Sequence, residues 1–314
     1  MKKKNRKTKN KIISPLFLIF LVLFFILCDV LSVSKIIDQK IKQELSLSNP
    51  FPNFVVSDYP LISNSSFKNL SVSARAVVVL DDSSGTVLYS KNDNLRFAPA
   101  STTKIATALV SLNYYKPNDI LDVKRAYVEG SKVGFVLGEK VTFRDMLYGM
   151  LLPSGNDAAD AMADNYKGSE SRFVKAMNLK VSKLHLYNTH FSDPAGLDDD
   201  GDYTTALDLA RLASFAMKNK TFAKVVDTKY ALISDISGTY IYPIENLNKL
   251  LGTDGVYGVK TGTTEEAKQV LVLAKDYNGH RVIIVIMGSK DRFKDAGNIL
   301  SHLDGNITYL SIRP

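Results

Sequence analysis

Cysteine is nearly absent from this sequence of 314 residues, in which Cys28 is the only one. A single cysteine excludes an intrachain disulfide framework and a zinc site built from several thiolates. The four histidines are scattered through the chain, without HExxH or other tight ligand spacing: His185, His190, His280 and His302. We therefore expect no metal site and no cofactor.

Positive charge is concentrated at the N-terminus. The chain carries 40 Lys+Arg against 32 Asp+Glu, a formal net charge of +8. Seven of the cations lie in the first eleven residues, and without them 33 cations face 32 anions. The body of the protein is thus almost neutral, which excludes an extended phosphate-binding surface. We expect no nucleic-acid partner.

A long apolar segment follows the basic residues. The run 12–28 is interrupted only by Ser14 and Pro15, and seventeen helical residues cover most of a bilayer core of about 30 Å. Because flanking cations stay in the cytoplasm, we predict a cytoplasmic segment at 1–11 and a single transmembrane anchor at 12–31. A cleaved signal peptide is the alternative. In both cases the rest is exported, beginning with an extracytoplasmic stalk at 32–70 that is irregular because of its Pro, Ser and Asn residues.

Residues 71–314 combine strands at both ends with helices in the middle. Two strand pairs around turn-forming segments are predicted, 76–80 with 86–89 and 270–274 with 281–286. Apolar residues recur with helical spacing in several segments between them: 102–115, 143–152, 156–166, 169–186 and 209–216. We predict an α+β domain whose antiparallel sheet, built from both chain ends, is flanked by helices and holds an inserted helical subdomain.

A serine and a lysine precede the first helical segment, in the motif Ser101-Thr102-Thr103-Lys104. Residues three apart share a helix face, so the Lys104 amine should lie beside the Ser101 hydroxyl. A lysine can activate a serine only if its pKa falls well below about 10.4. The alternative is a capping serine followed by a surface lysine. The same spacing occurs at two other places, Ser32/Lys35 and Ser65/Lys68.

Two further motifs carry polar groups suited to catalysis. In Ser154-Gly155-Asn156, the hydroxyl can relay a proton and the amide can bind both a lysine and a carbonyl group. A plain helix N-cap is the alternative. In Lys260-Thr261-Gly262-Thr263, a cation and hydroxyls on a strand edge can hold a carboxylate, while the glycine permits close approach. The alternative is a turn that leads into a strand.

The three motifs in this order, S-x-x-K, S-x-N and K-T-G, are typical of class A β-lactamases and penicillin-binding proteins. Their flanks resemble one branch, the D-alanyl-D-alanine carboxypeptidases or low-molecular-mass penicillin-binding proteins. The resembling stretches lie between about residues 72 and 304: 96–104, 151–159, 188–191, 203–206, 246–251 and 258–262. The resemblance implies a β-lactamase/penicillin-binding-protein-like fold. It also implies that peptidoglycan stem peptides and β-lactams are the partners of the domain.

The resemblance assigns the chemistry to three residues. Ser101 is implied to be the nucleophile that forms an acyl ester, and Lys104 the base that activates it. Ser154 is implied to pass a proton to the departing D-alanine. The expected reaction is attack on the carbonyl of the penultimate D-alanine of a stem peptide, followed by hydrolysis of the ester.

A second group of residues is implied to hold the substrate: Asn156, Lys260, Thr261, Thr263 and Arg292. The asparagine orients Lys104 and the substrate amide, and Lys260 keeps the site positive. The terminal carboxylate meets Thr261 and Arg292, while the backbone N–H of Thr263 completes an oxyanion hole with that of the nucleophile.

Two alternatives and one departure bear on this function. A class A β-lactamase needs a glutamate that activates water, and no glutamate occurs between Glu170 and Glu245. The second alternative is a catalytically inactive relative that binds peptidoglycan. The presence of every motif residue argues against it. The sequence departs from the family at Lys268, where a glycine is usual, which is expected to affect pocket shape more than chemistry.

The acidic run 198–202 lacks the spacing of a calcium-binding EF-hand and is predicted to be a solvated loop.

Overall fold

The computed structural model describes Lys35 and residues 58–63, 67–125, 127–167, 169–197 and 201–310. The chain divides into two units, 1–56 and 57–314, and Lys35 is the one described residue of the first. The predicted basic segment, membrane anchor and most of the stalk therefore lie outside the described residues. Within the described ranges, no helix combines the length and the hydropathy needed to cross a membrane.

An antiparallel sheet forms the centre of the second unit. Its five strands are, in spatial order, β3 (Val87–Lys91), β2 (Ala76–Asp81), β10 (His280–Ser289), β9 (Lys268–Tyr277) and β8 (Val256–Thr264). The pairs β2–β3 and β9–β10 are the two predicted hairpins. The prediction of a sheet built from both chain ends is confirmed, and β8 adds an edge strand to it.

Both faces of this sheet are buried, since successive side chains of a strand point to opposite faces. In β2, Val78 and Leu80 belong to the larger core, whereas Val77 and Val79 belong to a second core on the other face. The valine-rich sequence of β2 follows from this burial on both sides, because a strand with one solvated face would alternate with polar residues.

The larger core lies between the sheet and the helices of the inserted region. These helices are α1 (Lys104–Tyr114), α2 (Phe143–Leu151), α3 (Asn156–Asn165), α4 (Glu170–Lys183), α5 (Ala206–Met217) and α6 (Lys220–Val226). Residues 104–111 of α1 are all buried, so this helix is at the centre of the helical region. The last helix, α7 (Arg292–Leu303), packs against the opposite face of the sheet.

Short strand pairs complete the unit: β1 (Tyr59–Ile62) with β11 (Ile307–Leu310), β4 (Ile120–Asp122) with β5 (Lys140–Thr142), and β6 (Tyr230–Ser234) with β7 (Ile241–Glu245). The first pair includes part of the predicted stalk. Strand β1 accommodates Pro60, as an edge strand tolerates a proline on its unpaired side. Phe67 and Leu70 pack against the second core, and the compact unit spans residues 57–314.

Candidate active site

Ser101 lies where a short 3₁₀ helix, Ala100–Thr103, runs directly into α1. Ala100 adopts a left-handed backbone conformation with φ +48°, a strained state that often occurs at functional sites. The side chain of Lys104, the first residue of α1, is completely buried. Its Nζ donates a hydrogen bond to Ser101 Oγ at 3.0 Å. The two side chains are thus adjacent, as their spacing in the sequence predicts.

Lys104 has two further hydrogen-bond partners, and both are oxygens that can only accept a hydrogen bond. Its Nζ donates to Asn156 Oδ1 at 2.6 Å and to the carbonyl oxygen of Ala195 at 2.7 Å. A neutral amine keeps two hydrogens and gains a lone pair. If the two hydrogens stay on these acceptors, the lone pair is left facing the one partner that can donate, the Ser101 hydroxyl. The contacts therefore orient neutral Lys104 as a base for Ser101.

Burial lowers the pKa of Lys104 to about 7, because the charged form loses its hydration. The negative charges of Asp193, Asp160 and Asp157 oppose this shift and raise the pKa. Near neutral pH a large share of Lys104 is uncharged, which is the condition that a general base requires.

Asn156, the first residue of α3, is fixed on both sides of its amide group. Its Nδ2 donates to the carbonyl oxygen of Glu129 at 2.7 Å, which leaves Oδ1 for Lys104. Its backbone N–H donates to the carbonyl oxygen of Ser131 at 2.7 Å. The loop that contains Glu129 and Ser131 thus determines which end of the Asn156 amide faces Lys104.

Ser154 and Lys260 form a second buried pair. Lys260 Nζ donates to Ser154 Oγ at 2.9 Å and to the carbonyl oxygen of Thr261 at 3.0 Å. Ser154, two residues before the start of α3, has φ +67°, an unusual conformation for a residue other than glycine. Burial lowers the pKa of Lys260 well below its usual range, and the positive charges of Lys104 and Arg292 lower it further. Because Ser154 and Asn156 are two residues apart and bind Lys260 and Lys104, respectively, the Ser154 pair and the Lys104 group lie in one site.

Strand β8 brings the third motif against the 3₁₀ helix. A β-carbon built on Gly262 would lie 3.0 Å from the Cβ of Ala100 and 3.1 Å from the backbone nitrogen of Ser101. Thr261 is buried, whereas Thr263 is exposed. Because β8 is at one end of the five-stranded sheet, its outer edge has no strand of that sheet beside it. The backbone N–H and carbonyl groups on this outer edge of β8 can therefore form hydrogen bonds with an extended ligand.

Arg292, the first residue of α7, binds the same edge. Its Nη1 donates to the carbonyl oxygen of Gly262 and to Thr263 Oγ1, both at 2.7 Å. Its backbone N–H donates to the side chain of Gln269 at 3.0 Å. Burial lowers the pKa of this guanidinium from its usual value. The geometry combines two serine hydroxyls, a buried lysine with a pKa lowered to about 7 and a cationic strand edge, which are the groups that acyl transfer to a serine requires.

The model of the D-alanyl-D-alanine carboxypeptidase family matches residues 63–291. The chain belongs to this family. It is 35% identical over 243 residues to the carboxypeptidase DacF of Bacillus subtilis, covering 75% of this chain and 62% of that protein. It is 37% identical over 256 residues to the D-alanyl-D-alanine carboxypeptidase of Streptomyces sp. strain K15, covering 74% of this chain and 87% of that protein.

The chain is also similar in structure to solved proteins of this kind. The crystal structure of the Streptomyces K15 DD-transpeptidase superposes with a TM-score of 0.70 at 36% identity, covering 74% of this chain and 97% of that chain. A penicillin-binding protein homologue from Mycobacterium tuberculosis has a TM-score of 0.69 at 30% identity, covering 76% and 96% of the two chains. The predicted fold class and family resemblance are confirmed.

The structure joins the eight predicted site residues by hydrogen bonds in three groups: Ser101, Lys104 and Asn156; Ser154, Lys260 and Thr261; Thr263 and Arg292. The residues that sequence reasoning missed supply backbone carbonyl groups. Ala195 and Glu129 are such residues, and their side chains gave no indication of these contacts. The turn-forming sequence Asp193-Pro194-Ala195-Gly196 is the one signal that could have drawn attention to the first of them.

Two other expectations concern the surroundings of the carboxypeptidase site. Lys268, where the resemblance leads us to expect a glycine, has φ +57°, a conformation that a glycine adopts without strain. In the described part of the chain, no group of three or more His, Cys, Asp or Glu residues could hold a metal ion. Residues 198–200 of the predicted acidic loop lie outside it.

Proposed function

We propose that this protein is a serine-type D-Ala-D-Ala carboxypeptidase that removes the terminal D-alanine from peptidoglycan stem peptides, and that β-lactams acylate the same serine. One observation carries the proposal. The buried Nζ of Lys104 lies 3.0 Å from Ser101 Oγ, while its two other partners are oxygens that can only accept. This arrangement makes the Ser101 hydroxyl the proton donor to Lys104.

The first step acylates the enzyme. Lys104 takes the proton of Ser101, and Oγ forms a bond with the carbonyl carbon of the penultimate D-alanine. The backbone N–H groups of Ser101 and Thr263 stabilise the negative charge that develops on the carbonyl oxygen. When the carbon–nitrogen bond breaks, the departing amine needs a proton. Ser154 gives its hydroxyl proton to the amine and recovers a proton from protonated Lys104, so that Lys104 is neutral again when the amine has left. The contact of the Ser154 hydroxyl with Lys260 supports this role.

The second step releases the shortened peptide. Water attacks the ester carbon while Lys104 accepts one of its protons. Lys104 then gives this proton to Ser101 Oγ as the ester bond breaks, which restores both residues. In the first step Thr261 and Arg292 bind the terminal carboxylate of the substrate at the edge of β8. Arg292 supplies a positive charge beside Thr263, which favours a substrate that ends in a carboxylate.

The test uses the full-length protein in a mild detergent. We expect it to release D-alanine from a pentapeptide that ends in D-Ala-D-Ala, and to be labelled covalently by a fluorescent penicillin. The variant Ser101→Ala should fold but lose both properties. A folded wild-type protein that neither releases D-alanine nor is labelled would favour the inactive relative. Rapid turnover of the penicillin without D-alanine release would favour the β-lactamase.

We further propose that residues 12–31 anchor the protein in the cell membrane, with residues 1–11 in the cytoplasm and the catalytic domain outside. The apolar run and the seven cations before it support this topology. After removal of the cell wall, external protease should digest the domain and leave a membrane-bound fragment that contains the anchor. Release of the intact domain without residues 1–31 would instead indicate a cleaved signal peptide.

A further inference from the structure

The carbonyl group that accepts a hydrogen bond from Lys104 belongs to the loop between α4 and α5. The preceding carbonyl group of this loop is also bound to α1, because Thr107 Oγ1 donates to the carbonyl oxygen of Pro194 at 2.6 Å. Thr107 follows Lys104 by three residues, so the two contacts lie on one face of the helix. The loop is therefore attached to α1 at two consecutive carbonyl groups, and one of them contacts the base.

Asp193 organises this loop. Its Oδ1 accepts from the backbone N–H of Ala195 at 2.5 Å and of Gly196 at 2.7 Å, and its Oδ2 accepts from that of Leu197 at 3.1 Å. A carboxylate that binds the N–H groups of the following residues fixes a tight turn. Gly196 has φ +77°, and a β-carbon there would lie 2.0 Å from the carbonyl oxygen of Ala100. The turn is thus in close contact with the segment that carries the nucleophile.

We propose that Asp193 is a positioning residue for Lys104, whose carboxylate shapes the turn that presents the Ala195 carbonyl group and whose charge sets the pH range of proton acceptance. This proposal rests on the proposed function. Asp193 does not touch the reacting atoms, and it acts through the turn and through its electric field. Neither role follows from the three sequence motifs.

The charges around Lys104 support the electrostatic part. Among the carboxylates that raise the pKa of Lys104, Asp193 has the largest effect, ahead of Asp160 and Asp157 on α3. Asp160 forms an ion pair with Arg125 at 3.2 Å. Two cations of neighbouring elements, Lys104 and Arg292 of α7, interact with Lys260 of β8. Asp193 is the largest anionic contribution to the field at Lys104.

Two substitutions separate the effects of shape and charge. Asp193→Asn keeps a side-chain oxygen that can accept from Ala195 and Gly196, but it removes the charge and the acceptor of the longer bond from Leu197. Asp193→Ala removes both the charge and the acceptor. Asp122→Asn is the control, because Asp122 is paired with exposed Lys140 and is not among the charges that shift Lys104. The measurement is the rate of acylation of the full-length protein by a fluorescent penicillin between about pH 5 and 9.

For Asp193→Asn we expect the pH of half-maximal rate to fall by about 0.5 to 1 unit, since a nearby opposite charge shifts a pKa by about this much or more. Its plateau rate should stay within about threefold of wild type. For Asp193→Ala we expect a plateau at least about tenfold lower, because the Ala195 carbonyl group loses its support. The control should match wild type in both quantities.

An unchanged midpoint in Asp193→Asn overturns the proposal, as does a wild-type plateau in folded Asp193→Ala. If Asp193→Ala does not fold, the midpoint of Asp193→Asn decides alone. A wild-type protein that the penicillin does not acylate would instead contradict the proposed function. The two failures are therefore distinguishable.

Discussion

Gly262 of strand β8 lies directly against Ser101, with room for no side chain between them. A β-carbon at this glycine would be 3.1 Å from the backbone nitrogen of Ser101. Most real β-carbon contacts are longer, so the strand or the 3₁₀ helix would have to move by a few tenths of an ångström. The absence of a side chain at Gly262 therefore lets the proposed nucleophile, Ser101, lie directly against the proposed substrate-binding edge.

Gly262→Ala should reduce acylation by a fluorescent penicillin by about tenfold or more, because small displacements of reacting groups have large effects on rate. The matched control is Gly297→Ala in α7, where an added β-carbon meets no atom within 4 Å. That control should keep its activity and gain about 0.5–1 kcal/mol in unfolding free energy, since alanine is favoured over glycine inside a helix. Equal acylation rates for both variants would show that the close approach has no role.

Lys268→Gly should stabilise the protein. Lys268 is exposed and has φ +57°, and a left-handed conformation costs an ordinary residue about 1–2 kcal/mol. Part of this gain is lost to the greater freedom of glycine in the unfolded chain, so we expect a net increase of about 1 kcal/mol in urea unfolding. Lys268→Ala, which keeps the β-carbon, should give no such increase. A less stable glycine variant would contradict the prediction.

Arg292→Gln should weaken substrate binding. The guanidinium contacts the edge of β8 at Gly262 and Thr263, and its loss removes the positive charge proposed to meet the substrate carboxylate. In D-alanine release we expect KM to rise by about tenfold or more, with a smaller change in kcat. Lys294→Gln, an exposed residue of the same helix, should have little effect. Similar kinetics for the two variants would show that Arg292 has no specific role.

A domain that begins at residue 57 should be more stable than one that begins at residue 71. The shorter chain lacks β1 and therefore exposes the edge of β11. It also loses Phe67, whose ring stacks on Tyr89 with centroids 4.7 Å apart. We expect its thermal midpoint to be lower by about 5 °C or more, which corresponds to a few kcal/mol in a domain of this size. Equal thermal midpoints for the two chains would support the domain boundary at residue 71 that is predicted from the sequence.

The features that were predictable from the sequence are local ones. The adjacency of Ser101 and Lys104 follows from helical spacing, and the two hairpins follow from apolar runs around turn residues. Strand β8 carries the third motif, but it contains Gly258, Lys260 and Gly262 and so lacks the alternation that marks a strand. Its position at the sheet edge depends on pairing with β9, which is a tertiary property.

The partners of Lys104 were partly unpredictable for a physical reason. The contact with Ala195 joins residues 91 positions apart through a backbone carbonyl group, and every residue type has such a group. Likewise, the complete burial of Lys104 and Lys260 depends on how α1 and β8 pack. That burial lowers their pKa values. The motifs identify the reacting side chains, whereas packing determines their protonation.

The pH dependence of Ser101 acylation tests most directly whether buried Lys104 is the base. Protonated Lys104 has no lone pair, so the rate should be low below a pKa of about 7, rise through it and level off above it. In folded Lys104→Met the rate should be lower by about a thousandfold and should lack this rise. A wild-type rate that is constant between about pH 5 and 9, or a Lys104→Met variant with the same rising profile, would contradict the mechanism.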